Sequence, residues 1–287
     1  MALPPRRVPI RVPRPQWILV TAIGLVIAAL GFRFGSQMYR EQVAVREIER
    51  ASGKVGYMYG GPLRLYKLLG SWQMTPFRKI YDVQLFTSAD TDTVLESVSR
   101  LPSVQRLHLS ASQVTDSGLK HVAGMSSLRF LDLHYTRVTD AGLAHLAGLT
   151  NLERLSLRRT QITGAGLAHL GGLHNLQELE LGSTKITDAA LAPITSLSKL
   201  RRLELASTRI TDSSLAILAG ATSLEELDLS GTGITDEGLA HLKSLGGLRV
   251  LQLNGTQVTD RGINELKSAN PNLYPGQSFG APGGGVF

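Results

Sequence analysis

The chain of 287 residues contains no cysteine. That excludes disulfides, thiolate metal sites and a thiol nucleophile, and it leaves the compartment open. Aromatic residues make up only 6%, so any core has to be built from aliphatic side chains. Acidic residues are nearly missing from the first 79 positions, where 13 basic residues stand against 3 acidic ones, a net of +10. Residues 80–287 carry 17 basic and 20 acidic residues, a net of −3. The basic balance of the chain therefore belongs to its start. The remainder lacks the broad basic face that nucleic-acid binding requires, and no nucleic-acid partner is expected. Also absent are an H-E-x-x-H pair, a phosphate-binding glycine loop and a nucleophile elbow. No catalytic residue, cofactor site or metal site is assigned.

Long uncharged runs are missing with one exception, Trp17 to Phe32. It is close to the roughly 17–20 apolar residues that cross a bilayer core. Arg33 can snorkel, and Phe34 and Gly35 extend the segment. Arg6, Arg7, Arg11 and Arg14 precede it, which favours a cytoplasmic N-terminus with the rest of the chain translocated. Three readings share this pattern: an uncleaved anchor over 17–35, a cleaved signal peptide, and a buried helix. The anchor is preferred, because the apolar run continues past the weak cleavage match at Ala29-Leu30-Gly31.

From Ile80 onward a 24-residue period repeats eight times without insertion, starting at Ile80, Val104, Leu128, Leu152, Leu176, Leu200, Leu224 and Leu248. Its frame is L-x-x-L-x-L-x-x-T-x-I-T-D-x-G-L-x-x-L-x-x-L-x-x. Units of this length cannot bury their apolar faces alone and must stack as a solenoid. Positions 4 and 6 alternate as in a strand, so positions 3, 5 and 7 face the other side. Positions 16, 19 and 22 have helical spacing. A hydroxyl at position 9 suits the turn backbone, and Thr at position 12 or Asp at position 13 should cap a helix. The expected architecture is an α/β solenoid with a concave parallel sheet and convex helices, preceded by one transmembrane helix. The expected divisions are a basic tail at 1–16, the anchor at 17–35, a juxtamembrane helix and cap at 36–79, the repeats at 80–271, and a Gly/Pro-rich tail at 272–287. Within the cap, a helix is expected near 37–50, a strand in KVGYMY, and an apolar helix over 63–69. A partial strand is expected from Leu273.

The frame resembles the leucine-rich repeat, in the I-T-D-x-G-L subclass close to the cysteine-containing type. The stretch Arg40 to Tyr59, REQVAVREIERASGKVGYMY, is similar to membrane-anchored leucine-rich-repeat proteins of planctomycete-type bacteria. The resemblance implies a horseshoe that binds a protein or peptide on its concave sheet, in the periplasm or at the cell surface. An envelope scaffold acting by lateral self-association is one alternative, with the C-terminal sheet edge as its contact. A substrate-recognition subunit of a larger, F-box-like complex is another, although no F-box segment is present.

Columns of equivalent positions point to two candidate surfaces. Phe130, Asp132, His134, Tyr135 and Arg137 lie beside Arg154, Arg158 and Arg159, and aromatics with arginine dominate binding hot spots. Packing of these residues on one another by cation–π contact is the structural alternative. Position 5 stacks Glu180, Glu204 and Asp228, a like-charged stripe that asks either for Arg202 or for a basic partner. Position 3 alternates Arg154, Glu178, Arg202 and Glu226, as neighbouring ion pairs would. Position 18 carries His121, His145, His169 and His241, which read as solvated helix residues rather than as a metal stripe.

Overall fold

Short strands separated by 24 residues pair in sequence order, as the period demands. In the computed structural model the described residues are Leu25, 35–36, 38–59, 78–86 and 90–275. The chain divides into two units, 1–43 and 44–287. In the first, residues 38–43 are helical, Tyr39 is exposed, and Arg40 Nε donates to the Ser36 carbonyl at 3.3 Å. In the second, ten strands form one sheet in chain order. They are β1 (Lys54–Tyr59), β2 (Arg78–Gln84), β3 (Arg106–His108), β4 (Phe130–Asp132), β5 (Arg154–Ser156), β6 (Glu178–Glu180), β7 (Arg202–Glu204), β8 (Glu226–Asp228), β9 (Val250–Gln252) and β10 (Tyr274–Pro275). β1 runs antiparallel to β2, and every later neighbour is parallel.

The register follows the period: Phe130 lies beside Arg154, Arg154 beside Glu178, and Glu178 beside Arg202. Leu131, Leu155, Leu179, Leu203 and Leu227 at position 4 are all buried, as are Leu143, Leu167, Leu191, Leu215 and Leu239 at position 16. One aliphatic core therefore runs between sheet and helices. At its start Ala44 and Ile48, in helical residues 44–50, join this core, and β1 covers the β2 edge. The helix expected over 63–69 lies outside the described residues. So does nearly all of the segment 17–35 expected to span a bilayer, and residues 1–16 and 276–287. Among the described residues no helix is long and apolar enough to cross a membrane.

The convex elements differ from plain α-helices. Asp116–Val122, Asp212–Leu218 and Asp260–Ala269 are α-helical, but Ala165–Leu170 and Asp188–Ser196 are 3₁₀. Pro193 removes one amide donor from the second of these. Asn270 follows the last helix, Asp260–Ala269. Its buried amide donates to the Leu242 and Leu245 carbonyls at 3.3 and 3.2 Å and ties the last turn to the preceding unit.

The polar columns sort into distinct tasks. Thr at position 9 donates to the carbonyl three residues back, for example Thr136 to Leu133 and Thr160 to Leu157, both at 2.7 Å. Thr at position 12 is the N-cap: Thr115, Thr139 and Thr235 accept from the amides of Ser117, Ala141 and Glu237. Asp at position 13 does not cap its own helix. Asp212 accepts from the Thr235 amide at 2.8 Å and from the Thr235 hydroxyl at 2.6 Å, in the next unit. The same clamp joins Asp92 to Thr115, Asp116 to Thr139, Asp140 to Thr163, Asp188 to Thr211 and Asp236 to Thr259. Position 24 adds a second tie: Ser127, Asn151 and Asn175 donate to carbonyls of the unit before.

The clamp explains glycine at position 15. A Cβ at Gly238 would lie 2.1 Å from Asp212 Oδ1. Where the chain departs from Asp, at Gly164, the following unit departs from Gly, at Ala190. A Cβ at Gly164 would lie 2.3 Å from the Ala190 methyl. The two exceptions are one spatial exchange. Ser214, buried beside Asp188, fits by turning its hydroxyl back to the Thr211 carbonyl at 2.7 Å.

Asp212→Gly should therefore cost about 2 kcal/mol, since it removes two hydrogen bonds to a charged group. Gly238→Ala should destabilise the wild type by about 1 kcal/mol through overpacking. In the Asp212→Gly background the same change should stabilise, because alanine outranks glycine in a helix by roughly 1 kcal/mol. Denaturant midpoints of the four proteins in this cycle check the reversal of sign.

Candidate functional site: the open face of the sheet

Side chains at positions 3, 5 and 7 stand on the face turned away from the helices. Because neighbouring strands are only about 4.8 Å apart, each side chain has close partners in the units before and after it. The expected ion pairs at position 3 are present. Arg154 Nε is 3.3 Å from Glu178 Oε1, and Arg202 Nε is 3.6 Å from Glu226 Oε2. Arg106 Nε lies 3.7 Å from Asp82 Oδ2.

Position 5 departs from expectation. It is the middle column, and flanking side chains cover it. Glu180 is half-buried, whereas Glu204 is only 3% exposed and Asp228 7%. The stripe is therefore largely a buried floor and not an open acidic surface. Asp228 Oδ1 accepts from the Ser230 amide at 2.8 Å. Glu204 Oε2 accepts from the Gly182 amide at 3.0 Å and lies 3.7 Å from Arg158 Nε, two strands away. The cation that reaches the stripe is thus Arg158, which sequence spacing had placed in a different patch. Gly182 leaves the room for this contact, since a Cβ there would sit 2.1 Å from Glu204 Oε1.

Burial pushes the Glu204 carboxyl up to about 7. Arg158 and the Gly182 amide pull it down, Asp228 and Glu180 push it further up, and burial wins. In the first units burial likewise lowers the pKa of His108; Asp82 and Asp132 oppose that effect and Arg106 adds to it. His108 is therefore neutral at pH 7, and its 3.7 Å approach to Asp82 is not an ion pair there.

The hot-spot patch divides in two. A cavity of about 340 Å³ brings together Phe130, Asp132, His134, Arg154 and Arg158. Leu155, Ser156, Glu178, Glu180 and Arg202 complete its walls, and of these Glu178, Glu180 and Arg202 were read from the position columns as members of the charged ladders. Phe130 is held from the side of β3: the Arg106 guanidinium lies 5.2 Å from its ring centre, and the His108 ring 4.7 Å away. The cation–π contact expected inside the patch is thus made with a neighbour outside it. Asp132 Oδ1 accepts from the His134 amide at 2.9 Å.

Tyr135, Arg137 and Arg159 do not line the cavity. They stand exposed on the turns that follow the strands, with Tyr135 63% exposed and edge-on to His134. Position 8 is left-handed in every unit described there, with φ of 57° at Tyr135 and 52° at Arg159. Gly231 and Gly255 occupy the same column in later units, and they are the sequence signal for this conformation. A non-glycine residue there costs about 1–2 kcal/mol. The histidine column lies half-buried or exposed on the helices. Among the described residues no group of three His, Asp or Glu is placed to hold a metal ion.

This stack of parallel strands and outer helices at a 24-residue step defines a solenoid of leucine-rich type. The Leucine rich repeat family matches the chain at residues 150–210 and 174–234. The fold is similar to the crystal structure of an internalin from Listeria monocytogenes, at 24% identity and a TM-score of 0.53, over 63% of this chain and 49% of that one. It is also similar to internalin C2 of the same organism, at 26% identity and a TM-score of 0.53, over 69% of this chain and 80% of that one. The chain thus spans about half the length of the first of these. No curated protein matches the chain.

A carboxyl with a raised folded-state pKa stabilises the fold fully below its unfolded value of 4.5, and that contribution is lost as pH rises through about 7. The loss amounts to about 3 kcal/mol. Wild type should therefore lose more stability than Glu204→Gln between pH 4.5 and 7.5. Equal slopes in parallel denaturant titrations would count against the buried acid.

Proposed function

We infer that the chain is a non-catalytic recognition module that binds a protein or peptide on the concave face of its sheet. Proteins built from leucine-rich repeats generally mediate protein–protein interaction. The observation that carries the reading here is the cavity on the open face, where the Phe130 ring and three arginines stand among acidic walls. That combination suits a partner side chain with an apolar body and a polar tip. All eight units from Ile80 form the solenoid on this reading. Segment 17–35 anchors it, with residues 1–16 in the cytoplasm and the repeats outside, as in the planctomycete-type proteins that the Arg40–Tyr59 stretch resembles.

The cavity also says how the reading should be tested. Removing Arg158 would strand the buried Glu204, so its loss would confuse binding with folding. Phe130→Ala combined with Arg154→Ala avoids this, because Arg154 is half exposed and its pair with Glu178 contributes only about 0–1 kcal/mol. Affinity capture from envelope extract with the full chain as bait should retain a partner that the double variant, at unchanged melting temperature, retains at least about tenfold less. Equal capture by both proteins would remove the cavity from the account.

A second reading, lateral self-association, draws on one feature. Among the described residues β10 is the last strand of the sheet, paired on one side with β9, and its Tyr274 is 58% exposed. An unpaired strand edge is a template for another chain. Light scattering in mild detergent that shows dimers or larger species, lost on Tyr274→Lys, would favour it.

A further inference from the structure

The arginines of the sheet face are committed within the chain. Arg106, Arg154, Arg158 and Arg202 each lie within 3.7 Å of a carboxylate oxygen. One step further along each coil, on the turn after the strand, the situation reverses. Arg137, Arg159, Lys185 and Arg209 occupy four successive units, and all four are exposed. Among the described residues none of them has an ion pair or a side-chain hydrogen bond. The backbone lays these turns side by side: the Arg159 amide donates to the Gly182 carbonyl at 2.9 Å, the Lys185 amide to Ile162 at 3.0 Å and the Arg209 amide to Ile186 at 3.0 Å. Arg137, Lys185 and Arg209 hold position 10, where the unit between the first two has Gln161, and Arg159 stands two residues earlier at position 8. The four cations thus lie on two adjacent columns of one edge, over roughly 15 Å at the strand spacing.

Nothing within the described chain relieves this edge. Stacked like charges repel one another. Arg159 and Tyr135 hold left-handed backbone where the last units have glycine. Unpaired cations on an exposed turn suggest a role outside the fold. We propose that this edge is a docking line for an extended acidic segment of a partner protein, with Tyr135 as an apolar contact at its N-terminal end. The proposal rests on the protein-recognition reading above and adds the sign and shape of the partner. The strip is narrow, formed by positions 8 and 10 of the turns. On its sheet side lie Asp132, Glu178 and Glu180, and on its helix side the position-13 carboxylates. A wide polyanion, such as a duplex or a lipid surface, would meet both acidic flanks, whereas a single extended chain can follow the strip between them.

The test uses the full chain in non-ionic detergent and a labelled peptide of alternating Glu and Asp with one Phe, read by fluorescence anisotropy. The variant is Arg137→Ser, Arg159→Gly, Lys185→Ser, Arg209→Ser. All four sites are exposed, and glycine suits the left-handed site, so its melting temperature should hold. Because the basic start of the chain also attracts acidic probes, the difference between the two proteins is the quantity read. Wild type should bind at least about tenfold more tightly than the variant at low salt, and the difference should shrink as salt rises. Binding by the variant within about twofold of wild type would overturn the proposal. So would a single-stranded oligonucleotide or anionic vesicles that show the same difference, since the edge would then take any polyanion. Phe130→Ala with Arg154→Ala should leave the peptide's affinity unchanged. If that variant loses the captured partner while the edge variant still binds peptide, the recognition reading survives and the docking line falls. The opposite pattern keeps the docking line and removes the cavity.

Discussion

Every unit but the one with Gly164 is fastened to the next by a carboxylate that leaves its own helix and accepts hydrogen bonds from the following one. The position-13 aspartate takes both the amide and the hydroxyl of the next position-12 threonine. That threonine in turn caps the helix that opens there. The amides at a helix start have no partner of their own, and here the neighbouring unit helps to supply it. The carboxylate occupies the space of a side chain at position 15, so glycine is required beside it. At Gly164 and Ala190 the same volume is filled from the other side. A single steric and hydrogen-bonding constraint thus sets three columns of the repeat, and with them the uniform 24-residue register of the sheet.

Stacking at strand spacing has a second consequence on the open face. Side chains there are close enough to satisfy one another before any ligand arrives. Arg154 reaches Glu178, Arg158 reaches across two strands to Glu204, and Arg106 covers Phe130. The middle column is buried as a result, and Glu204 is pushed to about 7 by the loss of water around it. The face that a leucine-rich solenoid offers to a partner is therefore partly neutralised from within. The free charge is found on the turns at its margin, where side chains project beyond the reach of the neighbouring ladder.

Strand positions, the alternation of Leu131 and Leu133 against Asp132, the strand at Lys54–Tyr59 and the terminal strand after Leu273 were all legible from the residue pattern. So were the ion pairs between Arg154 and Glu178 and between Arg202 and Glu226, since they follow from register alone. The structure parted company with the columns where a side chain crosses more than one unit. Asp at position 13 works on its neighbour and not on its own helix, and Arg158 serves Glu204 instead of joining Arg159 in a patch. Asn270 fastens the last turn to the unit before it. The contacts of Arg158 and Asn270 have no period, and the aspartate clamp, though periodic, joins different positions of neighbouring units, so no single column could announce them.

The amino-acid sequence by itself determined that the chain stacks in 24-residue steps, with aliphatic positions inside and threonine, aspartate and glycine at the turns. Periodic burial requires this, because a unit of that length has no other way to cover its apolar face. Tertiary structure alone decided which charges remain available. Pairing depends on distances of 3–4 Å between side chains in different units, and those distances arise only once the units are packed.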